Sequence, residues 1–442
     1  MADFTSWLRG WFGGKVKSTS DPGSLHPDSG PSLLQVLVNS GGLKSSALVK
    51  SEFALSKYTQ LLLKPFARQG NEFAFAIYRQ LQPRPGNLFF SPFSIRTALG
   101  MVCAGARGET ATRMREALVF PPDEETAHNA SAEITAWLEA SGGEYEMAVA
   151  NALWGQEGVA LQAEFLDLIA RQYGGAMHGL DFRHAAEVAR QAINRWVDDK
   201  TRGKIRDLIP PDGLSDQTRL VIADAVYFKG AWVEKFPKDL THDEPFHLED
   251  GTVARTPLMC RKARFPYLQA EGYQAVDLPY RGGKLSMLVL LPDRMDGLRD
   301  LEKALSGQAL DGCVAQLRIR EIELFLPRFE LTWGSVDLSD ELRALGMQIA
   351  FDPAGADLSG INGRRLPDPE ALSISAVFHK AYAKVDEEGT EATAATAEDV
   401  FLGISPDEPV FRADHPFLFA IRDVISGAIL FLGRIEDPTR RG

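Results

Sequence analysis

Cysteine is scarce. Cys103, Cys260 and Cys313 are the only three in 442 residues, and their odd number and wide separation exclude a closed disulfide framework and a zinc-ligand spacing. Cys103 falls in an apolar helical stretch and reads as core. No apolar run approaches the length needed to cross a bilayer, so no membrane span is expected. The chain has no Gly-x-Ser-x-Gly elbow, no Gly-x4-Gly-Lys-Ser/Thr loop and no His-Glu-x-x-His pair, which removes the commonest hydrolase, nucleotidase and metalloprotease readings. An excess of base is missing as well. With 48 Lys and Arg against 60 Asp and Glu the net charge is -12, and phosphate neutralisation needs clustered cations, so nucleic acid is not the expected partner. Neither a metal nor a cofactor is called for.

What is present is a large apolar complement, 45% of residues, enough for a sizeable core. No internal linker follows about residue 70, so the organisation expected is one mixed domain over 68–442 behind an extension, residues 1–67, that is largely disordered. The extension mixes Ser/Gly/Pro-rich stretches such as Ser18 to Pro31 with short apolar runs such as Leu33 to Val38. Trp7, Leu8, Trp11 and Phe12 precede Lys15 and Lys17, the reverse of a secretory leader. A cytoplasmic location follows as the default, with an extracellular one as the alternative.

Periodicity predicts helices near Asn71 to Gln82, Ser94 to Ala104, Thr110 to Leu118, Glu164 to Gln172, His184 to Thr201, Leu298 to Leu305 and Leu338 to Leu345. Strands are expected near Glu146 to Trp154, Thr218 to Phe228, Tyr273 to Pro279, Leu285 to Leu291, Arg318 to Leu326, Ala376 to Val385 and in the apolar C-terminal runs. Helices and strands mix without regular alternation, which argues for an α+β fold.

The most informative run is Val385-Asp386-Glu387-Glu388-Gly389-Thr390-Glu391-Ala392-Thr393-Ala394-Ala395-Thr396-Ala397, which holds no Leu, Ile or Phe. Read with period two, Thr390, Ala392, Ala394 and Thr396 share one small, uncharged face. Such a run is either a flexible Ala/Thr linker or a strand slim enough to slide between two others. It leads into the apolar stretch Val400-Phe401-Leu402-Gly403-Ile404-Ser405-Pro406 and then into His415-Pro416-Phe417-Leu418-Phe419 and Ile429-Leu430-Phe431-Leu432.

This C-terminal region resembles the hinge, reactive loop and last strands of a serpin. Further matches run in the family's order: Asn87-Leu88-Phe89-Phe90-Ser91-Pro92-Phe93-Ser94-Ile95, Ile193-Asn194-Arg195-Trp196-Val197, Thr201-Arg202-Gly203-Lys204-Ile205, Ala225-Val226-Tyr227-Phe228-Lys229-Gly230-Ala231-Trp232, Leu326-Pro327-Arg328-Phe329 and His379-Lys380. The resemblance implies a serpin fold, three β-sheets with about nine helices and an exposed reactive-centre loop, here about 387–410. It implies no catalysis and no cofactor, but suicide-substrate inhibition of a serine protease through a covalent complex. A papain-like cysteine protease is a second target class, and the non-inhibitory alternative is a binding or chaperone-like protein. A monomer liable to polymerise is expected.

By the same resemblance Ser91, Ser94, Asp224 and His379 form a buried polar cluster, the shutter, beneath the central sheet. Most relatives carry Asn where this chain has Asp224, and a carboxylate there would make a charge-assisted pair with His379. Ser91 and Ser94 bracket a proline at a helix start, where serine is a natural cap, which weakens a hydrolase triad with His379. Trp232, Arg328 and Glu387 form the breach at the top of that sheet. The hinge comprises Glu387, Gly389, Thr390, Glu391, Ala392, Thr393, Ala394, Ala395 and Thr396. Counting from Glu387 by the family spacing puts the reactive bond at Gly403-Ile404, with Phe401, Leu402 and Ser405 as neighbouring choices. Counting back from Pro416 gives Ser405-Pro406, a poor protease bond. With no Arg or Lys near, elastase-, subtilisin- or chymotrypsin-like targets are implied.

Overall fold

A computed structural model describes residues 63–139, 144–390 and 408–441. Ten α-helices lie among the described residues: α1 (Lys64–Leu81), α2 (Pro92–Gly105), α3 (Gly108–Ala117), α4 (Glu124–Glu139), α5 (Ala163–Tyr173), α6 (Phe182–Lys200), α7 (Leu298–Ala304), α8 (Gly307–Gln316), α9 (Ser339–Leu342) and α10 (Ser359–Asn362). The strands are β1 (Leu88–Phe90), β2 (Tyr145–Gln156), β3 (Met177–Leu180), β4 (Leu220–Ala231), β5 (His242–His247), β6 (Val253–Gln269), β7 (Tyr273–Pro279), β8 (Leu285–Pro292), β9 (Arg318–Pro327), β10 (Phe329–Asp337), β11 (Ile374–Asp386), β12 (Gly389–Thr390), β13 (Val410–Arg412), β14 (Phe417–Asp423) and β15 (Ile429–Ile435).

Ser91 caps α2, its hydroxyl accepting from the Ser94 amide at 3.1 Å, and Pro92 fills the first turn, where no amide partner is needed. This helix is buried nearly all round because it packs behind the central sheet. Helix α6 is amphipathic and covers the front of that sheet, burying Phe182, Ala189, Ile193 and Val197 with Ala223, Ala225 and Tyr227.

The central sheet runs β10-β11-β12-β4-β2-β3, with β11 and β4 also paired directly and in parallel. The other strands form one hydrogen-bonded network, β1-β15-β14-β8-β7-β6-β9-β13, with β5 also on β6. Among the described residues the strands of the three expected sheets are thus linked into two hydrogen-bonded networks. The seventeen-residue β6 joins two portions, pairing β5 and β9 along its length and β7 through Tyr267, Leu268 and Gln269.

Residues 63–67, assigned to the extension by sequence, belong to the fold: Leu63, Phe66 and Ala67 are buried and α1 starts at Lys64. The expected helix at Leu338 to Leu345 is only α9, after which a π turn opens where Gly346 takes φ 105°. Of the described residues no helix is long and apolar enough to cross a membrane.

Candidate functional site

Strands β11 and β4 are in direct register from Ile374 opposite Leu220 up to Tyr382 opposite Tyr227. Above that pair they diverge, and the two-residue strand β12 wedges between them. Thr390 pairs with Val385 on one side and Gly230 on the other, while Gly389 pairs with Asp386 and Ala231. The start of the small-residue run is therefore already a strand of the central sheet, and a notch remains beneath it.

Only glycine fits at position 389. Its φ is 148°, and a Cβ there would sit 2.1 Å from the Gly230 carbonyl oxygen and 2.6 Å from Ala231 Cα. Thr390 is fully buried, its hydroxyl 2.7 Å from the Tyr280 phenol. Trp232 stacks on Tyr280 with centroids 4.6 Å apart and planes 16° from parallel. Its indole N–H donates to the Asp386 carbonyl at 3.0 Å, and its amide donates to that of Glu388 at 3.0 Å.

Two neighbouring carboxylates hold the base of the wedge. Arg328 Nε donates to both oxygens of Glu387 at 2.8 and 2.9 Å, Nη2 completes the fork, and Thr241 Oγ1 donates to Oε1 at 2.5 Å. Burial alone would raise the Glu387 pKa, but these hydrogen bonds outweigh it and hold the carboxyl below its ordinary value. Glu388 bonds Lys235 at 2.5 Å and Lys238 at 3.3 Å. There too the lysines override burial and depress the carboxyl. The breach residues Trp232, Arg328 and Glu387 are thus brought together. Sequence reasoning missed Lys235, Lys238, Thr241 and Tyr280; the lysines and Thr241 lie in an irregular stretch around β5, where nothing in the pattern singles them out.

Ser91, Ser94, Asp224 and His379 also meet, each at most 2% exposed. His379 Nδ1 lies 2.9 Å from Asp224 Oδ2, Ser94 Oγ donates to Oδ1 at 2.6 Å, and the Ser91 amide donates to His379 Nε2 at 3.2 Å. Because Nε2 accepts, Nδ1 carries the proton and points it at the carboxylate. Asn151 joins the cluster, its side-chain amide donating to the Ser94 hydroxyl at 3.0 Å. Asn151, Asp224 and His379 are register partners across β2, β4 and β11, so the cluster is one polar row through the sheet. A polar residue amid the alternation of Ala150-Asn151-Ala152 was the available signal for it. No nucleophile is assembled here: the Ser91 hydroxyl donates to the Leu430 carbonyl at 2.7 Å and not to His379.

Over the front of the seam lies the segment after α6. Lys204 Nζ sits 5.7 Å from the Tyr227 ring and 5.8 Å from the Tyr382 ring, bridging the last direct β4–β11 pair. Lys380 Nζ and Ser335 Oγ hold the same segment, donating to the Arg206 carbonyl at 2.7 Å and the Asp207 carbonyl at 2.6 Å.

After Thr390 the described chain resumes at Glu408, and β13 pairs in parallel with β9 in the other network. The loop's two ends are thus fixed in different sheets. Glu391, Ala392, Thr393, Ala394, Ala395 and Thr396 of the hinge, with Phe401, Leu402, Gly403, Ile404 and Ser405 around the expected bond, lie outside the described residues.

A six-stranded sheet with a wedge at its top, a polar row through its middle and a segment anchored at both ends is a specific combination. A family model described as Serpin (serine protease inhibitor) matches residues 68–438. The chain belongs to the serpin family.

This serpin is 38% identical to the leukocyte elastase inhibitor of Equus caballus over 386 residues, 85% of this chain and 100% of that one. Among solved structures it is similar to Arabidopsis AtSerpin1 in its native stressed conformation, with TM-score 0.77, 30% identity, and 86% and 99% of the two chains covered. It is also similar to human thyroxine-binding globulin complexed with thyroxine, with TM-score 0.78, 28% identity, and coverage of 86% and 100%.

Proposed function

We propose that this serpin is a suicide-substrate inhibitor of elastase-, subtilisin- or chymotrypsin-like serine proteases, with papain-like cysteine proteases as a second class. The observation that carries this reading is the wedge. Gly389 and Thr390 already pair with both β11 and β4, and the two registers agree on each residue that would follow as far as Asp399, below which the β4–β11 pairing shifts.

Continued downward, the inserting strand would bring Thr393 between Tyr382 and Tyr227, and Thr396 between His379 and Asp224. Ala392 and Ala394 would face Ala383, Phe228, Ala381 and Val226. All four of these neighbours are buried, and a bulky side chain would meet them with no space. Small residues in the hinge are what this path requires. Insertion to Thr396 also parts His379 from Asp224, so the polar row resists opening until a strand with its own hydroxyl arrives.

The reaction is read as follows. The protease serine attacks the Gly403 carbonyl, the Gly403-Ile404 bond breaks, and Ile404 leaves as a free amine, its proton supplied by the protease's own acid. Before the cut, β13 on β9 tethers the far end and full insertion is impossible. After it, the strand enters, gains the backbone hydrogen bonds the notch leaves unmade, and drags the acylated protease to the far end of the sheet. Distorting its oxyanion hole removes the stabilisation that deacylation needs. A sheet open before its time would accept a strand from another copy, which is the polymerisation liability of the monomer. The binding alternative has one observation in its favour, the likeness to thyroxine-binding globulin.

The test is incubation with elastase, subtilisin and chymotrypsin, followed by denaturing gels and mass spectrometry. A stable adduct with release of the peptide beginning at Ile404 supports inhibition. Clean loop cleavage without an adduct for every protease overturns it.

A further inference from the structure

Away from the central sheet, a groove of about 650 Å³ opens where the end of α2 meets the start of α5 and the short α10. Phe165 and Leu168 give it an apolar wall, and Arg107 and Arg365 both border it. Arg107 is seated through one nitrogen: Nη1 donates to the Ala104 carbonyl at 3.0 Å and to the Ala106 carbonyl at 2.7 Å, closing the C-terminus of α2. Its Nε and Nη2 have no partner among the described residues. Arg365 Nε donates to the Ser359 hydroxyl at 3.1 Å and lies 3.5 Å from the Asp357 carboxylate, and its Nη1 and Nη2 have no partner among the described residues either. Gly360 makes room for this arrangement. It lies inside α10 without a positive φ, where alanine is the better helix former, so its backbone does not call for glycine. A Cβ there would fall 2.4 to 2.5 Å from Cζ, Nη1 and Nη2 of Arg107, so the guanidinium occupies the space a side chain would take.

We propose that Arg107 and Arg365 form a binding site for a phosphate dianion, free or as the head of a phosphomonoester. Planar guanidinium forks match the spacing of phosphate oxygens, and hydrogen bonds between two charged groups are the strong ones. Each arginine is held at one edge and keeps two nitrogens for a ligand, which is the division of labour a receptor needs. Two carboxylates oppose an anion here: Asp357 engages Arg365, and Glu164 borders the groove. A singly charged carboxylate ligand only repeats what Asp357 offers, whereas a dianion with three terminal oxygens serves both forks at once. The volume beyond the arginines, over Phe165 and Leu168, takes the organic part of a monoester. The site shares no residue with the wedge or the polar row, so it stands or falls apart from the inhibitory reading.

The experiment titrates the full chain with inorganic phosphate and with phenyl phosphate at constant ionic strength, read by isothermal calorimetry and by the rise in melting temperature. The wild type is expected to bind both saturably. Tighter binding of phenyl phosphate assigns the site to monoesters, and equal binding assigns it to the free ion. Arg107→Gln and Arg365→Gln should each weaken binding roughly tenfold, and Glu164→Gln should strengthen it by a few-fold. Gly360→Ala keeps both charges but displaces the Arg107 fork, so it should weaken binding by a similar factor while the ligand-free melting temperature holds or rises. A general loss of folding would not produce that pairing. Absence of saturable binding of either probe to the wild type, or equal affinity in the wild type and both glutamine variants, overturns the site.

Discussion

Glu398 is the residue on which the insertion path is most exposed to refutation. On the insertion path proposed above, the registers that would carry Thr396 to Asp224 and His379 would carry Glu398 between Ile222 and Val377, both fully buried. A carboxylate set between these two apolar side chains would be disfavoured in its charged form, so on this path it would enter as the neutral acid. Protonating a carboxyl with an ordinary pKa of ~4.3 costs about 3.7 kcal/mol at pH 7 and about 1.6 kcal/mol at pH 5.5. The inserted form would then bind one more proton than the loop form, so insertion past Thr396 should become more favourable as pH falls and level off near the ordinary pKa. Glu398→Ala removes this cost. At pH 7 the variant should form more covalent adduct per cleaved loop than the wild type, and its loop-cleaved form should melt higher; at pH 5.5 the gap should shrink by about 2 kcal/mol. The assay is the stoichiometry of inhibition from pH 5.5 to 8, with calorimetry of the cleaved chain. A wild type and a Glu398→Ala variant with the same stoichiometry and the same cleaved-state melting temperature across that range would refute the register argument.

Three further outcomes are expected. Arg328→Ala frees Glu387, whose depressed carboxyl contributes stability above its ordinary pKa that is lost as pH falls through its lowered folded value; the variant should polymerise faster at neutral pH in a timed native gel, and the wild type should approach that rate only in acid. Asp224→Ala leaves the His379 N–H and the Ser94 hydroxyl without acceptors in a site closed to water, lowering stability by roughly 2–4 kcal/mol in urea unfolding, whereas Asp224→Asn, which still offers an oxygen to His379, should lose less. Lys204→Met keeps the apolar stem but removes the cation over Tyr227 and Tyr382, so annealing of a synthetic hinge peptide should quicken by a few-fold while the unfolding midpoint moves little.

Much of this was legible in the amino-acid sequence. The polar clusters at Ser91, Ser94, Asp224 and His379 and at Trp232, Arg328 and Glu387 were each assembled from distant segments by family order, and contacts in the structure bring their members together. What escaped shares one physical character. β6 carries Pro257 and Pro266 among the basic residues Arg255, Arg261, Lys262 and Arg264, and β10 bends at Gly334, where φ is 123° and the register with β11 shifts; both lack the apolar run that marks a buried strand. Helix α4 has too little apolar contrast to stand out, and α8 is short.

The anchoring of the loop at Thr390 in one sheet and at β13 in the other has a practical corollary for anyone handling this molecule. For most proteins a nick lowers the melting temperature, and a sharp high transition certifies the sample. On the proposed mechanism, a chain whose loop joins its own sheet fully only after being cut would reverse that rule. Each molecule would serve once, so a preparation would degrade toward greater heat resistance, and the fraction that survives boiling would be the fraction already spent.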